Sequence, residues 1–225
     1  FERDCTMQRR HQKLIEEAPS PALSSDQRNS LCKAAVRLCK ASQYYSAGTV
    51  EFLFDTRREK FYLMEVNTRV QVEHPVSELI TGIDIVQTQL LIAAGEKLPF
   101  TQRQIKRRGH AIEVRINAED PTNGFTPCPG RIDQFDPPGG PGIRIDTHCY
   151  SGYEVPPNYD SMIAKLIAYQ PTREQTIATL RRALSEFRIQ PIATTIPLHD
   201  RLMRNGNFIK GDVDIHFVER LLESK

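Results

Sequence analysis

The sequence lacks several features that would place it in a familiar class of protein. No apolar run approaches the roughly 20 residues of a membrane-spanning helix, and no signal peptide opens the chain. The five cysteines are odd in number and form no CxxC pair, which argues against a disulfide framework and a zinc ribbon. We therefore expect a soluble protein of a reducing, cytoplasmic compartment, with no membrane partner.

Four common signatures of catalysis and nucleotide binding are also missing. The chain has no GxxxxGK[ST] loop, no GxGxxG fingerprint, no GxSxG elbow and no HExxH helix. If it binds a nucleotide, we expect part of the pocket to lie outside this chain. Because the chain starts at Phe1 without an initiator methionine, we expect a fragment of a longer polypeptide.

Charge gives no general argument for a polyanionic partner. The 30 basic and 28 acidic residues leave a formal net charge of +2, so we expect no nucleic-acid partner. Hydrophobic residues make up 39% of the chain and charged residues 26%, which is typical of globular proteins and excludes wholesale disorder.

Hydrophobic periodicity predicts an α+β protein with two domains, residues 1–106 and 107–225, separated by a basic linker. In the first domain the predicted elements are a helix over 26–42, hairpin strands over 49–55 and 61–67, an extended stretch before Pro75 and a helix from Asp84 to Gly95. In the second domain they are strands over 110–117, 131–135, 143–149 and 162–169, and helices after Thr172, near 196–204 and near 214–222.

The hairpin carries the most informative side chains. With a turn near Arg57 and Arg58, a register in which paired residue numbers sum to 116 places Glu51 opposite Glu65, with Asn67 on the same face. Like charges that face each other across a sheet are destabilising, and a divalent cation between them would reverse the sign. Two carboxylates and an amide oxygen suit Mg²⁺. The alternative is two solvated glutamates on an exposed face.

A second group of polar side chains follows the hairpin. In an extended chain Arg69, Gln71 and Glu73 project to one face, and Val70 and Val72 to the other. The guanidinium, the amide and the carboxylate could together bind a small oxyanion and remove its proton. The alternative is an edge strand whose polar residues face water.

Two further features are weaker. Lys13 could add a positive charge to an anion site, and Gln8 and His11 could bond a ribose or a phosphate. Arg115, on the predicted strand over 110–117, could stabilise a developing oxyanion.

The alternative for Arg115 is a structural ion pair with Glu113 or Asp160, and at this point both interpretations stay open.

With these residues in view, the chain resembles the carboxy-terminal half of a biotin carboxylase, the ATP-grasp component of acetyl-CoA carboxylase. The resemblance runs through essentially the whole chain. It is carried by residues 3–13, 65–75, 115–121 and 156–162, and the second of these stretches, EVNTRVQVEHP, is highly specific for biotin-dependent carboxylases.

The resemblance implies a role for each candidate residue. The implied ligands of Mg²⁺ or Mn²⁺ are Glu51, Glu65 and Asn67. The implied bicarbonate-binding residues are Lys13, Arg69, Gln71, Val72 through its backbone amide, and Glu73, which would act as the base. The implied nucleotide-binding residues are Gln8, His11, Leu53, Glu51, Glu65 and Ile215. Arg115 would bind biotin and stabilise its enolate.

The implied reaction is the carboxylation of biotin by bicarbonate and ATP through carboxyphosphate, the first half-reaction of acetyl-CoA carboxylase in fatty acid synthesis. The implied partners are the biotin carboxyl carrier protein, carboxyltransferase subunits and a second copy of the chain, with Arg144 at the dimer interface. Since the family's amino-terminal domain and glycine-rich lid have no counterpart here, we expect little or no activity from the chain alone.

Three alternatives stay open. The chain could be a non-catalytic dimerisation or structural fragment, the corresponding module of a propionyl-CoA, other acyl-CoA or pyruvate carboxylase, or part of another ATP-grasp ligase.

Overall fold

The computed structural model describes residues 1–223. They form two compact units, one of Phe1–Asp4 and Ala18–Arg108, the other of Cys5–Glu17 and the residues from Gly109 onward. Helices and antiparallel strands occur together, which confirms the α+β prediction. The helices are α1 (Ser25–Ala41), α2 (His74–Thr81), α3 (Ile85–Ala93), α4 (Arg173–Glu186), α5 (Ile196–Met203), α6 (Gly206–Lys210) and α7 (Phe217–Glu223). The strands are β1 (Asp4–Arg9), β2 (Gln12–Ala18), β3 (Thr49–Asp55), β4 (Lys60–Asn67), β5 (His110–Asn117), β6 (Glu119–Asp120), β7 (Thr126–Pro127), β8 (Gly130–Arg131), β9 (Gln134–Asp136), β10 (Ile143–Thr147), β11 (Glu154–Val155), β12 (Met162–Gln170) and β13 (Arg188–Gln190).

The first unit contains the β3–β4 hairpin and helices α1, α2 and α3. Helix α1 begins close to its predicted start because Ser24 and Gln27 form a reciprocal capping box. Helix α3 is capped by Asp84, whose carboxylate accepts the N–H of Gln87 at 2.7 Å. Gly95 follows α3 in the left-handed region, at a φ of 89°, which is the conformation that favours glycine just past a helix.

The first unit buries few of its large apolar side chains. Val76 and Ile80 of α2 are at most 1% exposed, whereas Leu63, Met64 and Leu90 are more than half exposed. Among residues 1–223 the hairpin strands pair only with each other, and a two-stranded ribbon by itself is marginally stable. The hairpin that carries the candidate metal residues is therefore stabilised by little buried apolar surface.

The hairpin contains a β-bulge at Met64. Phe52 pairs with Leu63, but the next residue of β3, Glu51, pairs with Glu65, so the register skips Met64. The predicted pairing of the two glutamates is confirmed. The predicted register is wrong nearer the turn, where Asp55 pairs with Lys60.

The second unit is built on a five-stranded sheet in the order β1–β2–β5–β12–β10. Strand β12 runs antiparallel to both β5 and β10, and α4 packs against β5 and β12. Ile112, Val114 and Ile116, which alternation assigned to a buried face, are fully buried with Leu180 of α4. This core contains most of the buried apolar side chains that the structure describes.

The structure differs from the sequence-based prediction in several segments, and helix α6 and the short strands β6, β7, β11 and β13 were not predicted. Strands β1 and β2, joined by the two residues Arg10 and His11, were not predicted. The prediction of an extended stretch before Pro75 is wrong, because the chain bends and turns there and enters α2. Proline fits in the first turn of this helix, where its missing N–H is not needed for a helical hydrogen bond. The strand predicted over 131–135 is divided between β8 and β9.

Within residues 1–223, no single helix is both long and apolar enough to cross a membrane. Only α2 and α3 taken together, across a bend of 97°, reach that length and composition.

Candidate active site

The two facing glutamates of the hairpin share one hydrogen-bond donor. Nδ2 of Asn67 donates to Oε1 of Glu65 at 2.7 Å and to Oε1 of Glu51 at 3.2 Å. The amide thus lies between two carboxylates that would otherwise repel each other. The structure brings together all three residues for which the sequence predicted a shared site.

The donor set of this cluster fits a divalent cation. Glu51 is half-buried and Glu65 is exposed, so the pair combines a fixed carboxylate with one that water can reach. Mg²⁺ prefers oxygen ligands and keeps several waters, and Asn67 carries an amide oxygen as well as the N–H groups now used. No group of three or more His, Cys, Asp or Glu side chains could hold a metal in the part of the chain described, so a third protein ligand here would have to be the amide.

The segment after β4 does not form the strand that would align its polar side chains. Arg69 lies at a bend and is exposed, and its Nη1 donates to the carbonyl oxygen of Val70 at 3.2 Å. Val72 and Glu73 form a turn that leads into α2, with Glu73 at the helix cap position. The extended conformation expected for residues 69–73 is therefore not observed, and the convergence of Arg69 with Gln71 and Glu73 on a small oxyanion stays a prediction.

Gln71 and Glu73 are nevertheless brought together, by an arginine that sequence reasoning missed. Nη2 of Arg3 donates to Oε1 of Gln71 at 2.8 Å and lies 3.7 Å from Oε1 of Glu73. Gln71 is 7% exposed and Glu73 is 1% exposed. Nothing in the local pattern marks Arg3, because its hydrogen-bond partners are 46 to 74 residues away in the sequence.

Gln71 also contacts the candidate metal cluster. Its Nε2 donates to Oε1 of Glu51 at 2.8 Å, and its backbone oxygen accepts a hydrogen bond from Nδ1 of His74 at 2.8 Å. Glu51, Gln71 and Arg3 therefore form one chain of hydrogen bonds that connects the carboxylate pair to the surroundings of the buried Glu73.

Three further candidate residues lie in the second unit. Gln8 and Lys13 lie on β1 and β2 and are half-buried, and His11 is exposed in the turn that joins these strands. Arg10 and His11 have positive φ values of 47° and 64°. A two-residue hairpin turn that matches the right-handed twist of its strands, with both residues in the left-handed region, requires such values. Neither is glycine, so the turn is held in a conformation that L-residues rarely adopt.

Arg115 is held at both its side chain and its backbone. Its Nε donates to Oε1 of Glu16, a fully buried carboxylate on β2, at 2.7 Å. Its carbonyl oxygen accepts hydrogen bonds from Nε2 of His199 at 2.7 Å and from Oγ1 of Thr195 at 3.0 Å. The sequence offered Glu113 or Asp160 as structural partners, and the observed partner, Glu16, was not predicted.

The remaining nucleotide candidates are surface residues. Leu53, in the first unit, is 47% exposed, and Ile215, in the second, is 40% exposed. Apolar side chains this exposed are available to stack against a flat ligand.

Comparison with known proteins first defines the class. Residues 1–101 match the model of the carbamoyl-phosphate synthase L chain ATP-binding domain, and residues 113–220 match that of the biotin carboxylase C-terminal domain. The chain thus joins a match to an ATP-binding domain with a match to the C-terminal domain of biotin carboxylases.

The relatives then identify the family. The chain is 54% identical over 220 residues to a biotin carboxylase of Nostoc sp., and the match covers 98% of this chain and 49% of that protein. It is 51% identical over 218 residues to a pyruvate carboxylase component of Methanothermobacter thermautotrophicus, and that match covers 97% of this chain and 44% of the relative.

Solved structures give the same result. The biotin carboxylase domain dimer of the Hydrogenobacter thermophilus 2-oxoglutarate carboxylase, in complex with MgADP, ADP and bicarbonate, superposes with a TM-score of 0.94 at 47% identity, over 97% of this chain and 48% of that one. The chain belongs to the biotin carboxylase family, as the resemblance implied. It spans about half the length of the curated relatives it matches.

Proposed function

We propose that the chain carries the metal, bicarbonate and biotin residues of a biotin carboxylase, which joins bicarbonate to biotin at the expense of ATP. The observation that carries the proposal is the partly buried hydrogen-bond chain from Glu51 through Gln71 to Arg3, beside the buried Glu73. These contacts support the proposal because they connect Glu51, which would bind the cation, with the surroundings of Glu73, which would act as the base. The metal-bound relative named above binds MgADP and bicarbonate, the ligands this cluster would need.

The residues of this cluster would divide the work between metal binding, bicarbonate binding and proton transfer. Glu51, Glu65 and Asn67 would hold Mg²⁺ or Mn²⁺, which when bound neutralises phosphate charge. Gln71 would donate its amide N–H to bicarbonate, and Glu73 would take the proton of the bicarbonate hydroxyl.

The deprotonated oxygen then attacks the γ-phosphorus of ATP, and the bond from that phosphorus to ADP breaks, giving carboxyphosphate. Because the reaction is mostly positioning and charge neutralisation, the fixed Gln71 and the buried Glu73 are the groups that matter most.

The other roles are those that the resemblance implies. They are bicarbonate binding by Lys13, Arg69 and the backbone amide of Val72, nucleotide contacts by Gln8, His11, Leu53 and Ile215, and stabilisation of the biotin enolate by Arg115. Nη1 of Arg69 donates to the carbonyl oxygen of Val70, and its guanidinium has further N–H groups that could donate to an anion.

We further propose the role of the whole protein. It would be the biotin carboxylase of acetyl-CoA carboxylase in fatty acid synthesis, in the cytoplasm, with a biotin carboxyl carrier protein, carboxyltransferase subunits and a second copy of the chain as partners. Relatives that are biotin carboxylases, at 54% and 51% identity, support the first half-reaction, and the remaining assignments are those that the resemblance implies. A second candidate is the same half-reaction in pyruvate carboxylase, because a component of that enzyme is 51% identical.

Isothermal titration of the purified chain tests the proposal. We expect bicarbonate to bind in the presence of Mg²⁺ and Arg69→Ala to weaken that binding by about tenfold, since a charge-assisted contact is lost. Arg57→Ala, in the exposed hairpin turn, is the matched control and should leave bicarbonate affinity unchanged. A chain that binds neither Mg²⁺ nor bicarbonate would favour the non-catalytic fragment instead.

A further inference from the structure

Arg3 joins three separate segments of the first unit through its guanidinium. Nη1 donates to Oγ of Ser77 on α2 at 3.2 Å, and Nη2 donates to Oγ1 of Thr49 on β3 at 2.9 Å and to Oε1 of Gln71 at 2.8 Å. Its side chain is only 13% exposed. A planar guanidinium that satisfies three acceptors from different elements has little freedom to move.

These contacts decide which way the amide of Gln71 points. Arginine has only donors, so the oxygen end of the amide must face Arg3 and the NH₂ end must face Oε1 of Glu51. A flip of the amide would set NH₂ against the guanidinium and oxygen against the carboxylate, and both hydrogen bonds would be lost. Without Arg3, the contact with Glu51 alone would hold the amide.

Arg3 also provides charge to Glu73. Nη2 lies 3.7 Å from Oε1 of Glu73, whose side chain is 1% exposed. A buried carboxylate needs a nearby positive charge. At this distance Nη2 supplies charge without forming a hydrogen bond, so the contact does not itself occupy the oxygen that would receive a proton.

We propose that Arg3 is a positioning residue of the site: it fixes the direction of the Gln71 amide and so joins the carboxylate that would bind a cation to the residues that would bind bicarbonate. The inference rests on the proposed function. Nε2 of Gln71 and a cation would compete for Oε1 of Glu51, so cation binding would release an N–H that points toward an oxyanion. Bicarbonate and Mg²⁺ should therefore bind with positive coupling, and that coupling should depend on Arg3.

Nuclear magnetic resonance of the side-chain amide of Gln71 tests the positioning directly. In the 225-residue chain, with the signals assigned by their loss in Gln71→Leu, we expect two well-separated proton resonances that exchange slowly with water. In Arg3→Met both resonances should shift and their exchange with water should become faster, because only the hydrogen bond to Glu51 then holds the amide. Arg3→Lys keeps the positive charge but loses the planar set of guanidinium N–H donors, so the amide signals of Gln71 should move in this variant as well.

Calorimetry of the same proteins tests the coupling. For the wild type we expect Mg²⁺ to tighten bicarbonate binding by about tenfold, within the usual range for coupled sites. For Arg3→Met we expect bicarbonate to bind about tenfold more weakly and the coupling with Mg²⁺ to disappear.

Arg28→Met is the matched control. Arg28 is 8% exposed, belongs to the same unit and forms an ion pair with Glu2 at 2.6 Å, so its loss should lower the melting temperature without moving the signals of Gln71. Signals of Gln71 that stay in place in Arg3→Met, or that move equally in Arg28→Met, would overturn the proposal. If the wild type binds no bicarbonate, the proposed function fails, while the amide signals still decide whether Arg3 positions Gln71.

Discussion

His199 shows how one buried side chain supports a catalytic candidate without touching a ligand. It is fully buried on α5, and its Nε2 donates to the backbone oxygen of Arg115. Burial lowers the pKa of His199 from 6.5 to about 4, although the hydrogen bond to Arg115 acts in the opposite direction. The ring is therefore neutral wherever the protein is folded at ordinary pH.

This shift in pKa gives a prediction about stability. Because the unfolded chain takes up a proton near pH 6.5 and the folded chain only near pH 4, the free energy of unfolding should fall as the pH drops through that window. The contribution of His199 amounts to about 3 kcal/mol at most. Urea unfolding at pH 7.5 and pH 4.5 should show a smaller difference for His199→Gln than for the wild type.

The control for that measurement is His148→Gln, since His148 is exposed and should leave the pH dependence as it is. Identical pH dependence in the wild type and His199→Gln would contradict the assignment of a buried, neutral histidine.

Arg3 marks the limit of prediction at the residue scale. Glu51, Glu65 and Asn67 could be placed together from the sequence because they lie on two strands joined by a short turn, where register follows from local pattern. Arg3 and Glu16 could not, since they meet their partners across sequence separations of at least 46 residues. Periodicity carries no information at that range.

Elements were predictable where a local signal fixes both ends. Helices α1 and α3 have capping side chains at their starts, and their bounds agree with prediction to within one or two residues. Helix α2 has no side-chain hydrogen bond at its cap, and it was missed. Strands β1 and β2 were missed because Arg10 and His11 form their turn, where the sequence signal for such turns is asparagine or glycine.

The β-bulge at Met64 explains why the two glutamates face each other as predicted, although the register predicted near the turn is wrong by one residue. Deleting Met64 should remove the bulge and still leave Glu51 opposite Glu65, because Leu63 and Glu65 would then follow each other as Phe52 and Glu51 do. We expect the affinity for Mn²⁺, measured by water proton relaxation, to stay within about threefold of the wild type.

Insertion of one alanine after Met64 is the comparison. It should move Glu65 to the other face of the ribbon or slip the register, and Mn²⁺ binding should be lost. Loss of binding in the deletion, or its survival in the insertion, would contradict the role given to the bulge.

At the scale of the whole molecule, the two units differ in how much apolar surface they bury. The second has an extended core that includes Ile112, Leu166 and Leu180 at 0% exposure, while the hairpin of the first leaves Leu53 and Leu63 about half exposed. Buried apolar area is the main source of local stability. The candidate metal site thus lies in the unit that buries less apolar surface, which we expect to be the less stable of the two.

Hydrogen exchange read by mass spectrometry should show this difference. We expect peptides from β5 and β12 to be protected at least about tenfold more than peptides from β3, β4 and α3. Bicarbonate with Mg²⁺ should slow exchange in β3 and β4 and leave β12 unchanged. Equal protection of the two sets of strands would contradict the contrast in burial.

The central claim is that the facing carboxylates of the hairpin bind a divalent cation. Anomalous diffraction from crystals of the chain soaked in Mn²⁺ tests it most directly. We predict a peak about 2 Å from carboxylate oxygens of both Glu51 and Glu65, and no such peak in crystals of Glu65→Gln. Well-soaked wild-type crystals with no peak at this pair, or with the ion bound elsewhere, would contradict the account.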